Sequence, residues 1–97
     1  MNEEAAAGGP GTIRLRLRYL SAVRDRTGIR EEEAALASGS RLRDLASWLE
    51  RTRGLRLPDP LVMATLNGRG WSQYPEQMET VLHDADEIAL FPVVAGG

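Results

Sequence analysis

The residues of this sequence with the clearest chemical potential are the last two, Gly96 and Gly97. A carboxyl group at a chain end is ionised at neutral pH, and a carboxylate is a poor electrophile. Such a group reacts only after activation, so the chemistry would take place on Gly97 itself. Because glycine has no Cβ, a Gly-Gly end can enter a narrow site and adopt conformations that are closed to other residues.

The other side chains offer little chemistry. The absence of cysteine excludes disulfides, thiolate metal sites and cysteine nucleophiles. His83 is the only histidine, and the carboxylates show no ligand spacing, so we predict no metal site and no catalytic residue in the chain. All 12 basic residues are arginine. Without a lysine amine, the chain cannot be linked to copies of itself through lysine.

Length and charge set the broad class. A chain of 97 residues has room for one domain. The formal net charge of −2 gives no basic footprint for nucleic acid. The acidic start lacks the basic and apolar regions of a signal peptide, and no apolar run approaches the roughly 20 residues of a membrane span. We therefore expect a cytoplasmic protein without a membrane segment.

Alternation of apolar and charged residues predicts the first strand. Apolar residues at positions 13, 15, 17 and 19 alternate with arginines, which is typical of a strand that is buried on one face. Residues 21–28 predict a turn or a short helical segment that ends at Gly28. Residues 31–37 predict a second strand paired with the first in a hairpin, although their alanines and glutamates also favour helix.

A helical period follows. Leu42, Leu45, Ala46 and Leu49 recur at the spacing of one helix face. We expect Ser40 to cap the N-terminus of this helix and Gly54 to end it. Residues 61–66 and 88–91 predict two more strands, with a turn at Asn67-Gly68 after the first of them. The pattern indicates an α+β fold with one main helix on one face of a mixed sheet.

Two segments resemble a known family. Residues 84–97 read DADEIALFPVVAGG and are similar to the ending of ThiS/MoaD sulfur carriers, above all the small subunit of molybdopterin synthase. Residues 19–28, YLSAVRDRTG, resemble the same branch. Two positions depart from the family pattern: Ala85 replaces a glycine, and Val93 replaces a second proline. The alanine matters only if its turn requires a positive φ, and the valine is expected to leave the tail looser.

The resemblance implies a β-grasp, ubiquitin-like domain over residues 12–92, with a disordered tail at 1–11 and a flexible Gly-Gly tail at 93–97. It also implies that an E1-like enzyme uses ATP to adenylate Gly97, and that sulfur then converts Gly97 to a thiocarboxylate. The chain would bind no cofactor permanently. The residues implied for partner pockets are Pro92, Val93, Val94, Ala95 and Gly96, with Phe91 a candidate for either an interface or the core.

The resemblance leaves the pathway open. The leading hypothesis is sulfur donation in molybdenum cofactor biosynthesis, as the small subunit of molybdopterin synthase with the large subunit as its partner; whether the two form a heterotetramer stays open. Related carriers supply sulfur for thiamine, cysteine or tRNA thiolation. A ubiquitin-like modifier joined to substrate lysines through Gly97 is another class of function, and a binding module without chemistry is a third.

Overall fold

Alternating strands and one amphipathic helix build a five-stranded mixed sheet that carries a helix on one face. The computed structural model describes residues 11–93. In chain order the elements are β1 Thr12–Tyr19, α1 Ser21–Thr27, β2 Glu31–Ala37, α2 Leu42–Arg53, β3 Val62–Leu66, β4 Arg69–Gly70 and β5 Glu87–Pro92. Two short 3-10 helices, Trp71–Gln73 and Gln77–Glu79, lie between β4 and β5.

The strand order places the last strand in the middle of the sheet. The order is β2-β1-β5-β3-β4, with β1 and β5 parallel and the other pairs antiparallel. Parallel strands need a crossover, and α2 lies in the connection between β1 and β5. The predicted α+β class, the β1–β2 hairpin and the adjacency of the first and last strands are confirmed. The architecture is a β-grasp fold.

The core lies between the sheet and α2. The predicted helix face is fully or nearly buried, with Leu42, Leu45 and Leu49 at 0% exposure. It packs against the inward-facing residues of β1 and β5, which include Leu15, Leu17, Ile88 and Leu90. Each of these leucines and isoleucines contributes about 1.5–3 kcal/mol by leaving water, so this layer holds the sheet in register.

A polar cluster closes one end of the core. The Tyr19 hydroxyl donates to the Glu32 carboxylate, and Arg53 donates two hydrogen bonds to the same carboxylate at 2.6 and 2.8 Å. Burial alone would raise the pKa of Glu32, but the hydrogen bonds from Arg53 and Tyr19 outweigh it and lower that pKa. Because the three residues belong to β1, β2 and α2, the cluster ties the hairpin to the helix.

The predicted cap of α2 is wrong. The N-cap residue is Arg41 instead of Ser40, and the Asp44 carboxylate accepts the Arg41 backbone N–H at 2.8 Å. An acidic side chain in the first turn accepts a backbone N–H that has no partner within the helix, and its negative charge interacts favourably with the helix dipole. Ser40 has another role, because its carbonyl accepts the Leu82 N–H at 2.8 Å. The expected end of the helix at Gly54 is confirmed, with φ at 69°.

Backbone pairing extends one residue beyond the predicted domain limits of 12–92. The Gly11 carbonyl accepts the Ser38 N–H at 3.1 Å, which lengthens the β1–β2 hairpin. At the other end the Val93 N–H donates to the Leu61 carbonyl at 3.0 Å. Residues 1–10 lie outside the described residues, so the expected disordered N-terminal tail stays a prediction.

Candidate functional site

The C-terminal segment leaves the fold from the centre of the sheet. β5 is paired with β1 on one side and β3 on the other, so its position is fixed by two neighbours. Val93 follows β5 and is 42% exposed. The predicted tail residues Val94, Ala95, Gly96 and Gly97 lie outside the described residues. The described structure therefore defines the point from which the tail begins.

Pro92 fits this exit because the ladder makes no demand on its missing N–H. In an antiparallel ladder, hydrogen-bonded and non-hydrogen-bonded residue pairs alternate. Val93 bonds to Leu61, so the neighbouring pair, Pro92 with Val62, is a non-hydrogen-bonded pair. On its other side β1 ends at Tyr19, which is level with Leu90. The last strand, predicted over residues 88–91, extends to Pro92, and one further backbone bond joins Val93 to Leu61.

The sheet face opposite α2 carries an apolar strip next to this exit. Alternation turns Ile88 and Leu90 toward the core, so Phe91 and its cross-strand partner Met63 lie on the outer face. Phe91 is half-buried and Met63 is 41% exposed. The next pair along the ladder is Leu61 with Val93. We call these four residues the apolar strip: Leu61, Met63, Phe91 and Val93.

The strip places Phe91 away from the helix core, which removes the interpretation of this residue as simple core packing. The sequence alone does not mark Leu61 and Met63 as site residues. Leu61 is 74% exposed although it belongs to a continuous apolar run, residues 61–66. Such a run does not show which residues face outward. Only the register against β5 assigns Met63 to the outer face and leaves Leu61 beside Val93.

The other half of the outer face carries arginines that lie opposite glutamates. Arg16 lies opposite Glu33 and Arg18 opposite Glu31 in the hairpin, and Arg16 neighbours Glu87 on β5. Arg14 donates to Glu33 at 2.6 Å, with both side chains about half exposed. Exposed pairs of this kind contribute about 0–1 kcal/mol. The arginines therefore face glutamates across the sheet, which favours a solvated surface over a basic docking patch.

Comparison with known proteins gives a consistent result. The model of the ThiS family matches residues 17–97. The Haloferax volcanii protein HVO 2177 is 27% identical, with 90% of this chain and 89% of that chain covered and a TM-score of 0.72. A putative molybdopterin converting factor subunit 1 of Pyrococcus furiosus is 24% identical, with 84% of this chain and 99% of that chain covered and a TM-score of 0.69. Small archaeal modifier protein 1 of Methanosarcina acetivorans is 23% identical, with 89% of this chain and 98% of that chain covered and a TM-score of 0.66.

The chain belongs to the ThiS family. The match covers most of the sequence and includes Gly96 and Gly97. Among curated proteins, no match to the sequence is found. The named structural neighbours, one of them a small archaeal modifier protein and one a subunit of a molybdopterin converting factor, share its fold.

One departure from the ThiS/MoaD pattern has a structural cost. Ala85 has a φ of 70°, so its turn does use the left-handed conformation that glycine adopts freely. The neighbouring aspartates hold this turn. Asp84 accepts the Arg14 N–H at 2.8 Å, and Asp86 accepts the His83 N–H at 2.7 Å and the Asn67 side-chain amide at 3.0 Å.

The second departure, Val93 in place of a proline, stands at the start of the tail. The looser tail that we expect from it concerns residues 94–97, which lie outside the described residues, and stays a prediction. In the structure the Val93 N–H is bonded to Leu61, and a proline there could not make this contact. Valine at this position therefore keeps a backbone hydrogen bond to Leu61, the residue before β3.

The described residues include no group of three His, Cys, Asp or Glu side chains that could hold a metal ion. In the same range, no helix is long and apolar enough to cross a membrane. His83 lies in the exposed turn before β5, where its backbone N–H bonds to Asp86.

Proposed function

We propose that this ThiS-family protein carries sulfur on the carboxyl group of Gly97. The observation that supports this most directly is the family match, which extends through the Gly-Gly segment to residue 97. The described residues add support, because the chain leaves the central strand at Val93, within an exposed apolar strip.

The proposed chemistry needs an activating partner. A carboxylate oxygen of Gly97 would attack the α-phosphorus of ATP, with loss of pyrophosphate, to give an acyl adenylate. Hydrosulfide, or an equivalent sulfur nucleophile held by the partner, would then attack the acyl carbon and release AMP. The product is a thiocarboxylate at Gly97. An E1-like adenylating enzyme would bind the ATP, and this chain would supply only the reacting carboxyl group and a docking surface.

The apolar strip is the proposed docking surface. Phe91 and Met63 expose apolar area beside the start of the tail, and aromatic and methionine side chains are enriched in protein interfaces. A partner seated on the strip would hold the tail entry, at Pro92 and Val93, at a fixed distance from its own active site. Four residues, 94–97, extend roughly 13 Å when fully extended, enough to bring Gly97 into a pocket of that partner.

The acceptor we propose is a pterin precursor in molybdenum cofactor biosynthesis, held by a large molybdopterin synthase subunit. The motif FPVVAGG at residues 91–97 supports this branch. The similarity to a protein named as subunit 1 of a molybdopterin converting factor agrees with it at the level of the fold.

The carrier function is tested with Gly97→Ala and with a variant that has one alanine appended after Gly97. Both should abolish ATP–pyrophosphate exchange by the adenylating enzyme of the same organism while leaving thermal unfolding unchanged. Gly11→Ala is the matched control, because a Cβ at Gly11 meets nothing within 4 Å. Undiminished exchange from the appended variant would refute the proposal.

Intact-mass analysis of protein purified from its native host supplies the chemical test. It should show a chain that ends at Gly97 and a second species in which one carboxyl oxygen is replaced by sulfur. Loss of the mass difference in Gly97→Ala protein would assign the sulfur to this residue.

A protein modifier is the second candidate, supported by the similarity to small archaeal modifier protein 1. The activated carboxyl would then meet a lysine amine of another protein. Since this chain has no lysine, it would be attached as single copies and never as lysine-linked chains. Immunoblots of host lysate decide between the two: reductant-stable adducts of higher mass favour the modifier, and their absence favours the carrier.

A further inference from the structure

A cavity of about 290 Å³ lies at the edge of the sheet on the far side of β3 from β5. One wall is formed by Val62 and Ala64 of β3. The others come from Pro58 and Asp59 in the preceding loop, and from the segment of the two 3-10 helices, which contributes Trp71 and Met78. Most of these side chains are apolar.

The backbone of β3 is open where it borders this cavity. The bonded pairs between β3 and β5 include Met63 with Phe91, so the N–H and C=O of Ala64 point away from β5. On that side β4 pairs only with Thr65 and Leu66, and Asp59 pairs with Val62. A gap of two residues therefore remains, and within residues 11–93 no strand fills it.

Trp71 is a buried residue in the wall of the same cavity. Trp71 is 6% exposed, and its Nε1–H has no acceptor among the described residues. A buried donor without an acceptor is unfavourable, and most such groups in native proteins are paired. The open strand edge is the feature that the backbone of an extended peptide complements.

We propose that the β3-edge cavity receives a short extended segment of the activating enzyme, which adds to β3 at Ala64 and inserts an apolar side chain. The inference rests on the proposed function. Continuity with the docking surface supports this occupant, because Met63 belongs to the apolar strip and also lines the cavity. A partner seated on the strip thus reaches the cavity across a single side chain. Strand addition of this kind uses main-chain hydrogen bonds for affinity and a side-chain pocket for specificity.

Two substitutions of Ala64 test the proposal. Ala64→Leu occupies part of the cavity beside the β3 edge, and Ala64→Pro removes an N–H that the β3–β5 ladder does not use. In ATP–pyrophosphate exchange with the purified adenylating enzyme of the same organism, each should raise the KM for the carrier about tenfold and leave kcat unchanged. Thermal unfolding of both variants establishes that they fold, and either variant alone suffices for the test.

Ala35 provides matched controls on the opposite edge of the sheet. It is exposed, and it pairs with Arg14 at a non-hydrogen-bonded position of the β1–β2 ladder. Its N–H therefore points to the free edge of β2. Ala35→Leu and Ala35→Pro should therefore leave the KM unchanged. Amide exchange supplies a second readout: enzyme binding should protect the Ala64 N–H and shift the Trp71 indole resonance in wild-type carrier.

The outcomes separate the two proposals. Wild-type exchange with an unchanged KM for the Ala64 variants overturns the cavity inference and leaves the carrier function intact. No exchange from wild-type protein overturns both. In isolated carrier, Ala64 and Trp71 signals that respond to removal of residues 94–97 would assign the cavity to the chain's own tail. Signals that respond to concentration would assign it to a second copy, and either result also overturns the inference.

Discussion

The two ends of β5 are held in different ways. At its start, Asp84 and Asp86 hold a turn in which Ala85 has a positive φ, and their hydrogen bonds reach β1 and the β3–β4 turn. At its end, one backbone bond joins Val93 to Leu61, and the tail begins. The start therefore fixes the strand in the sheet, and the end carries the surface that we propose for a partner. Substitutions at the start should change stability, and those at the end should change activation.

The largest expected effect is that of Phe91→Asp, at the end of β5. A charge in the apolar strip must be desolvated when a partner covers it, and a buried aromatic anchor at an interface is typically worth about 2 kcal/mol or more. We expect the KM for the carrier in ATP–pyrophosphate exchange to rise roughly thirtyfold.

Ala35→Asp is the control for Phe91→Asp, because it adds the same charge to the charged half of the same face. Its KM should equal that of wild-type protein. A Phe91→Asp carrier that is activated with a normal KM would show that the strip is not a docking surface. The end of β5 would then have no role in activation.

Asp86→Ala should have the largest effect on stability. It removes the acceptor for the His83 N–H and for the Asn67 amide, which join the turn to the β3–β4 connection. We expect a loss of about 1–2 kcal/mol in the free energy of unfolding, measured by urea denaturation. Asp25→Ala, at an exposed site on α1, should cost far less. The KM of folded Asp86→Ala protein in ATP–pyrophosphate exchange should not change. A large rise would show that a change at the start of β5 affects activation at its end.

Ala85→Gly should stabilise the protein. An L-residue at a φ of 70° costs roughly 1–2 kcal/mol, and part of this gain is lost because glycine has more freedom in the unfolded chain. The net gain should be about 0.5–1 kcal/mol, seen as a higher urea midpoint with an unchanged slope. Ala35→Gly, in a strand without positive φ, should destabilise instead. Equal effects of the two substitutions would contradict the strain at Ala85.

The same contrast shows how far sequence patterns reach. Period-2 alternation and a helical repeat predict β1 and α2, since each pattern states which side chains meet the core. They do not predict the cap at Arg41, because Asp44 acts through a reciprocal bond one turn later. The family pattern locates the Gly-Gly segment. Met63 becomes a site residue only through its register with Phe91, which depends on pairing between distant segments.

Val93→Pro should have the smallest effect, and it probes the end of β5 directly. Proline removes the N–H that donates to Leu61, while its restricted φ favours an extended tail. Because both residues are exposed, water can replace the lost bond, and we expect a loss of about 0.5 kcal/mol in the free energy of unfolding. Val93→Ala keeps the N–H and removes only side-chain area, so it separates the hydrogen bond from the strip. If Val93→Pro unfolds as wild-type protein does and Val93→Ala is the less stable variant, the bond to Leu61 does not hold the tail, and the side chain of Val93 does.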